Sequence, residues 1–300
     1  MKRIAERVNG GAVLVADGAW GTMLQAEGLA SGECPELWCV NNPSAVLKIA
    51  RSYVEAGADL IKTNSFGASR FKLDAFGLSA RCAELNKAAA SISREAAGVN
   101  RHVIASIGPT GKLILMGDVT EQEMYNAFAE QAVALEEGGA DACLIETMSA
   151  LDEACLAIKA AKENTRLEVL CTFTFERNAK GEYRTMMGVA PAEMARETSK
   201  AGADVIGTNC GNGLERMAPV VAELRASEPG KPIIVNANAG APVLRGGKTV
   251  FPDTPETMAA LLPGVLAAGA GIVGGCCGTT PAHIAAIAAI VRSRSGYKAR

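Results

Sequence analysis

Glu55-Ala56-Gly57-Ala58-Asp59, running straight into Leu60-Ile61-Lys62-Thr63-Asn64-Ser65-Phe66, holds a helix ending and a strand beginning in a few residues. Glycine at its centre reads as a helix C-cap that turns the chain directly into the next strand. The same signature returns as Glu137-Gly138-Gly139-Ala140-Asp141, Lys200-Ala201-Gly202-Ala203-Asp204 and Ala267-Ala268-Gly269-Ala270-Gly271. Around these signatures, short β-branched runs alternate with longer amphipathic stretches eight times, the pattern of a parallel sheet with crossover helices. The expected strands are 12–16, 60–66, 103–109, 142–147, 169–175, 205–210, 233–240 and 272–277. The first outer helix is expected to follow Pro43-Ser44 and run to about Ala56, with later ones from about Ala80, Glu121, Leu151 and Pro191.

Eight units of about 37 residues predict one α/β domain over residues 1–300, a single (β/α)8 TIM barrel. A doubly wound open sheet would need a glycine-rich phosphate loop after the first strand, and Asp17-Gly18-Ala19-Trp20-Gly21 lacks that spacing. A hydrophobic content of 49% supplies ample core for such a domain. The formal charge of -2, without a long basic run and with only two Trp and four Tyr, argues against a nucleic-acid groove. No apolar stretch approaches a membrane span, and Met1-Lys2-Arg3-Ile4-Ala5-Glu6-Arg7 turns charged too soon for a secretory signal, so a cytoplasmic protein is expected.

In such a barrel the chemistry sits at the C-terminal ends of the strands. Cys210, after the sixth strand, and the pair Cys276-Cys277, after the eighth, therefore face one mouth. Zinc held by three thiolates keeps a fourth position open, where a substrate thiol is held as a nucleophilic thiolate. The competing readings are a vicinal disulfide or two core thiols. Adjacent strand residues point to opposite faces, so both sulfurs reach one ion only where the strand breaks, which Gly274, Gly275 and Gly278 permit. Cys34, Cys39, Cys82, Cys143, Cys155 and Cys171 read as small buried hydrophobes in a reducing compartment.

Asp17 and Glu146 end otherwise apolar strands at the same mouth and suit an ammonium group. A carboxylate pair could also serve glycoside chemistry, but the chain has few rings to build a sugar platform. Structural alternatives are a turn cap for Asp17 and a buried ion pair for Glu146. Backbone amides of Gly18-Ala19 and of the Thr63 to Gly67 turn are placed to receive a carboxylate. An amino acid with a side-chain thiol satisfies all three features. Lys62 admits a Schiff-base role, yet it lies four residues before the expected strand end, which favours a structural or snorkelling lysine. His102 begins a strand at the wrong end and His283 falls in the last helix, so neither is a good ligand.

The chain resembles the homocysteine-binding, zinc-dependent S-methyltransferase domain shared by cobalamin-dependent methionine synthase and betaine-homocysteine methyltransferase. The resemblance spans essentially all 300 residues. It rests on Asp17-Gly18-Ala19-Trp20-Gly21-Thr22, Thr63-Asn64-Ser65-Phe66-Gly67-Ala68-Ser69, Ile107-Gly108-Pro109-Thr110-Gly111, Glu146-Thr147, Asn209-Cys210, Asn238-Ala239-Gly240 and Gly274-Gly275-Cys276-Cys277-Gly278-Thr279-Thr280-Pro281. It implies that Cys210, Cys276 and Cys277 hold zinc and that homocysteine sulfur becomes the fourth ligand. It also implies that Asp17 and Glu146 take the homocysteine amino group, with Gly18, Ala19, Thr63 and Phe66 completing the substrate site. Asn238, at the end of the seventh strand, is the candidate fourth ligand of the resting metal, with water as the alternative.

Two departures bear on the methyl donor. Betaine-using members carry Tyr after the second-strand Phe and after the fourth-strand Glu, where this chain has Gly67 and Thr147, so a trimethylammonium cage is not expected. The motifs resemble the methionine synthase version, whose donor is a methylcorrinoid. Beyond the last helix lie only Ser293-Arg294-Ser295-Gly296-Tyr297 and a short basic tail. The donor is therefore expected from outside, as a separate corrinoid protein or free methylcobalamin. The alternatives are S-methylmethionine as donor, or a non-catalytic zinc- and thiol-binding subunit.

Overall fold

All four signature glycines adopt the backbone that other residues avoid: φ is 94° at Gly57, 100° at Gly139, 111° at Gly202 and 113° at Gly269. The computed structural model describes residues 1–294, so the tail from Ser295 lies outside the described residues. Each glycine turns a helix into a barrel strand. The eight strands are β1 (Leu14–Val15), β2 (Leu60–Lys62), β3 (His102–Ile107), β4 (Ala142–Met148), β5 (Glu168–Phe173), β6 (Val205–Gly213), β7 (Ile233–Asn238) and β8 (Ile272–Gly275).

Each strand pairs in parallel with its neighbours in sequence, and β8 returns to β1 through Leu14↔Ile272 and Val15↔Val273. The ring closes between β1 and β2 at the Ala16↔Leu60 bridge, where the Asp17 amide donates to the Leu60 carbonyl at 3.0 Å. This is the expected α/β (β/α)8 TIM barrel. Helices Pro43–Glu55, Cys82–Ala97, Glu121–Glu137, Leu151–Asn164, Pro191–Ala201, Met217–Ser227, Pro255–Ala267 and Pro281–Arg294 surround it.

The aspartates of the signature have work of their own at the N-terminal end. Oδ2 of Asp59 accepts the Val15 amide at 2.9 Å, Oδ2 of Asp141 the Val103 amide at 2.8 Å, and Oδ2 of Asp204 the Val169 amide at 2.8 Å. Each carboxylate thus satisfies the first free amide of the preceding strand, which would otherwise be an unpaired donor. The fourth copy has Gly271 instead, where a Cβ would stand 2.3 Å from Val8. Val8 belongs to a short helix, Ile4–Asn9, which caps that end. Its Ile4 joins Leu14, Leu60, Ile104 and Leu144 in the interior core, while Glu168 accepts the Ile4 and Ala5 amides at 2.7 Å each. A carboxylate there is favoured by the unpaired amides at a helix start.

Several strands are shorter than the sequence suggests. β2 ends at Lys62 rather than residue 66, because side-chain hydroxyls take over its ladder. Thr63 Oγ1 accepts the Ser106 amide at 2.9 Å, and Ser65 Oγ donates to the Ser106 carbonyl at 2.7 Å. β8 likewise ends at Gly275, leaving both vicinal cysteines in the turn beyond it. Two hairpins, Glu176–Arg177 with Tyr183–Arg184 and Val243–Arg245 with Lys248–Val250, extend the loops after β5 and β7 without a counterpart in the expected alternation.

Candidate active site

The sulfurs of Cys210, Cys276 and Cys277 lie within 4.8 Å of one another at the barrel mouth, with 4.0 Å between Cys210 and Cys277. All nine cysteines are free, so the vicinal pair is not a disulfide. Four-coordinate zinc with Zn–S bonds of about 2.3 Å places its sulfurs about 3.8 Å apart, which this spacing fits. Hydrogen bonds from Cys276 and then Cys277 hold the Cys210 thiol far below its usual range, while Cys276 is pushed up to about 11 and Cys277 is also raised, chiefly by Cys210. The three thiols thus oppose one another's ionisation, a set that a dication would allow to ionise fully.

Local backbone explains how the three meet. Cys210 sits at φ 57° and Thr147 at φ 63°, the two non-glycine residues with positive φ among the described residues. Such a backbone costs roughly 1–2 kcal/mol per residue. Each lies where a register breaks, between Ile145 and Met148 on β4 and between Asn209 and Gly213 on β6. The Cys276-Cys277 turn is tied to β7, since the Cys276 amide donates to the Ala237 carbonyl at 2.7 Å and the Cys277 carbonyl accepts the Ala239 amide at 3.0 Å. Of the three glycines there, only Gly278 uses the left-handed region, at φ 79°. Gly275 serves close approach instead, as a Cβ would lie 2.3 Å from Thr279 Oγ1.

Asn238 ends β7 between the cysteine-bearing strands. It is buried, contributes a hydrogen bond that favours the Cys210 thiolate, and leaves its Oδ1 without a hydrogen-bond partner among the described residues. An orphaned buried oxygen beside three thiols fits a metal ligand. The other cysteines differ in kind. Burial pushes Cys34 up to about 11 and Cys39, Cys82 and Cys143 up to about 12, and it raises Cys171 well above the usual thiol range. Cys155 departs from the expected buried set by being partly exposed.

Beside the sulfurs opens a cavity of about 470 Å³. Ala19, Thr63, Phe66, Glu146 and all three cysteines line it, whereas Asp17, Gly18 and Asn238 do not. Glu146 is buried, accepts a very short hydrogen bond from Ser106 Oγ, and is raised in pKa mainly by burial. Asp17 is fully buried, and its Oδ2 accepts the Trp20 indole N–H at 2.9 Å and the Lys62 amide at 2.8 Å. Its Oδ1 lies 3.6 Å from the Lys62 Nζ.

Lys62, read from sequence as structural or snorkelling and as four residues short of its strand end, ends its strand at the mouth and lines the cavity while 4% exposed. Burial opposes its charge, yet Asp17 and Glu146 hold the ammonium above the usual lysine range. The Thr63 to Gly67 turn does receive a carboxylate, but it is that of Glu36, whose Oε1 accepts the Gly67 amide at 2.7 Å. Glu36 and Ser106 escaped the sequence reading, and no spacing links them to the motifs. His102 and His283 stay away from the cavity lining.

A (β/α)8 barrel with three convergent thiols beside a cavity has relatives of known kind. The chain belongs to the homocysteine S-methyltransferase family, whose model matches residues 14–291. Methionine synthase of Mycobacterium tuberculosis is 34% identical over 301 residues, covering 93% of this chain and 24% of that protein. The Mycobacterium leprae methionine synthase is 33% identical over the same extent. The chain thus spans about a quarter of the length of these relatives. The metallated form of homocysteine methyltransferase MmuM from Escherichia coli matches with a TM-score of 0.76 at 26% identity, over 92% of this chain and 96% of that one. Its apo form gives 0.71 at 25% identity over 93% and 95%.

Proposed function

We propose that residues 1–300 act as one homocysteine-binding domain that transfers a methyl group to homocysteine sulfur and gives methionine. The cluster of Cys210, Cys276 and Cys277 at the cavity wall carries this reading. Family membership and the likeness to a homocysteine methyltransferase with a metallated form support it. Cys210, Cys276 and Cys277 would hold zinc, with Asn238 as the resting fourth ligand. When bound, zinc supplies a cationic centre that keeps the acceptor sulfur a thiolate at neutral pH.

The chain's own residues hold the rest of the acceptor. Glu146, oriented by Ser106, receives its ammonium, and the cavity walls at Ala19, Thr63 and Phe66 enclose its methylenes. Asp17 adds negative charge from behind the wall. Transfer forms one S–C bond as the donor's bond to the same methyl carbon breaks, so no side chain has to move a proton at carbon. No helix among the described residues is long and apolar enough to cross a membrane. Free thiols throughout suit a reducing, cytoplasmic setting.

A methylcorrinoid, free or carried on a separate protein, is the donor this mouth suits best. Trp20 and Phe66 are the aromatic residues of the cavity wall, and Gly67 and Thr147 offer no ring to a quaternary ammonium. Exposed Leu113, Leu115, Met116 and Met187, on the loops after β3 and β5, line a second, smaller cavity and offer apolar surface to a partner.

Zinc-loaded protein incubated with homocysteine and, separately, methylcobalamin, S-methylmethionine, betaine or methyltetrahydrofolate tests the reading. Methionine should form fastest from methylcobalamin and not from betaine. Faster turnover of S-methylmethionine would replace the donor and keep the chemistry. Tight homocysteine binding without methionine from any donor would make the protein a thiol-binding subunit.

A further inference from the structure

Methyl transfer as set out above gives no task to Lys62. An ammonium carries three donors. Among the described residues the one hydrogen bond of the Lys62 Nζ runs to the Gly275 carbonyl, at 3.4 Å. Asp17 Oδ1 stands slightly farther, at 3.6 Å. A side chain 4% exposed that lines a cavity with donors to spare is a costly arrangement unless a ligand completes it.

The neighbours sharpen the point. Asp17 is shut behind Lys62, so its negative charge already faces an ammonium built into the chain. Of the two carboxylates that line the cavity, Glu36 accepts the Gly67 amide, which leaves Glu146, beside Lys62, for an acceptor's ammonium. Two of the amides placed to take the opposite end are engaged elsewhere. The Ala19 amide donates to Thr279 Oγ1 at 3.0 Å, and the Gly67 amide donates to Glu36. A zwitterionic acceptor placed with its ammonium at Glu146 would find its natural anion partner in Lys62.

We infer that Lys62 binds the carboxylate of the acceptor thiol and selects acidic thiols over neutral or purely cationic ones. The acceptor's identity rests on the methyl-transfer reading, whereas the contact itself needs no methyl donor. Lys62 acts here as a specificity-determining residue.

Calorimetric titration of the zinc-loaded protein, followed in parallel by Trp20 fluorescence, separates the two. Homocysteine is compared with 3-aminopropane-1-thiol, which lacks the carboxylate, and with 4-sulfanylbutanoate, which lacks the ammonium. In the wild type, loss of the carboxylate should weaken binding by about ten- to a hundredfold, the range of a charge-assisted hydrogen bond. In Lys62→Met that loss should shrink to less than about threefold, and Lys62→Arg should restore most of it. Because Lys62→Met strands the Asp17 charge, the Asp17→Asn, Lys62→Met double variant is run beside it and should show the same collapse. If removal of the carboxylate costs the same in wild type and both Met variants, Lys62 serves only as a partner for Asp17 and the inference is overturned. If the coupling appears but no donor yields methionine, the methyl-transfer reading falls and the carboxylate contact stands.

Discussion

Asn209 grips Thr147 from both directions: its Oδ1 accepts the Thr147 amide at 2.9 Å while its Nδ2 donates to Thr147 Oγ1 at 2.7 Å. The same Oδ1 accepts from Thr172 Oγ1 at 2.7 Å. One side chain therefore spans the two strained residues that flank the site, since Cys210 follows Asn209 and Glu146 precedes Thr147. Asn209→Ala should cost about 2–4 kcal/mol by stranding buried donors, and should weaken metal affinity as well. Asn209→Asp, which keeps the acceptor, should lose less. Denaturant unfolding and chelator competition read the two effects, and unchanged metal affinity in the Ala variant would deny Asn209 its positioning role.

Metal content follows from the sulfur cluster. Purified protein should hold one zinc per chain, and Cys210→Ala, Cys276→Ala or Cys277→Ala should each lose it. Cys82→Ala and Cys155→Ala should retain it, because their sulfurs are not part of the cluster. Elemental analysis after dialysis decides the matter. A full complement of zinc in a variant lacking both Cys276 and Cys277 sinks the assignment.

The orphaned oxygen of Asn238 predicts a change in the metal's surroundings. X-ray absorption should report three sulfurs and one oxygen or nitrogen in the resting protein, and four sulfurs once homocysteine is added. Asn238→Ala should disturb only the first spectrum. An identical spectrum with and without homocysteine would rule out direct ligation by the acceptor.

Stability should carry a pH signature of Asp17. Burial lifts its carboxyl from 3.8 to about 6, against the opposing pull of Lys62. Between those values the folded chain keeps a proton that the unfolded chain releases. The contribution is therefore fully present below about pH 4 and is lost as pH rises through about 6, by about 3 kcal/mol at most. Asp17→Asn has no such proton, so its stability relative to wild type should improve from pH 4 to pH 7. Urea unfolding at pH 4, 5, 6 and 7 measures this, and parallel curves for the two proteins would contradict it.

The barrel was legible because its code is local. A glycine C-cap announces four of the eight returns to the sheet, with an aspartate two residues later in three of them, and all four glycines take the backbone that this requires. The convergence of Cys210 with Cys276 and Cys277 was legible through topology, since strand ends of a barrel share one mouth. What lay hidden was depth. Residues 60–66 read as one strand, and nothing in their pattern shows that the Thr63 and Ser65 hydroxyls would end it at Lys62 and so bring that ammonium to the cavity. Alternation gives Asp17 a direction but not its place behind another side chain. Glu36 meets Gly67 from a short 3-10 helix, Pro35–Leu37, 31 residues away, a pairing that only the folded chain reveals.

The clasps of Asp59, Asp141 and Asp204 lie at the opposite end of the barrel from the strained Thr147 and Cys210. Cohesion and chemistry are therefore held at different poles of the molecule. A variant population sorted by cellular abundance should single out the aspartates, whereas one sorted by growth without the reaction product should single out the mouth. Damage at the first pole would be answered by raising expression or lowering temperature, and damage at the second would not.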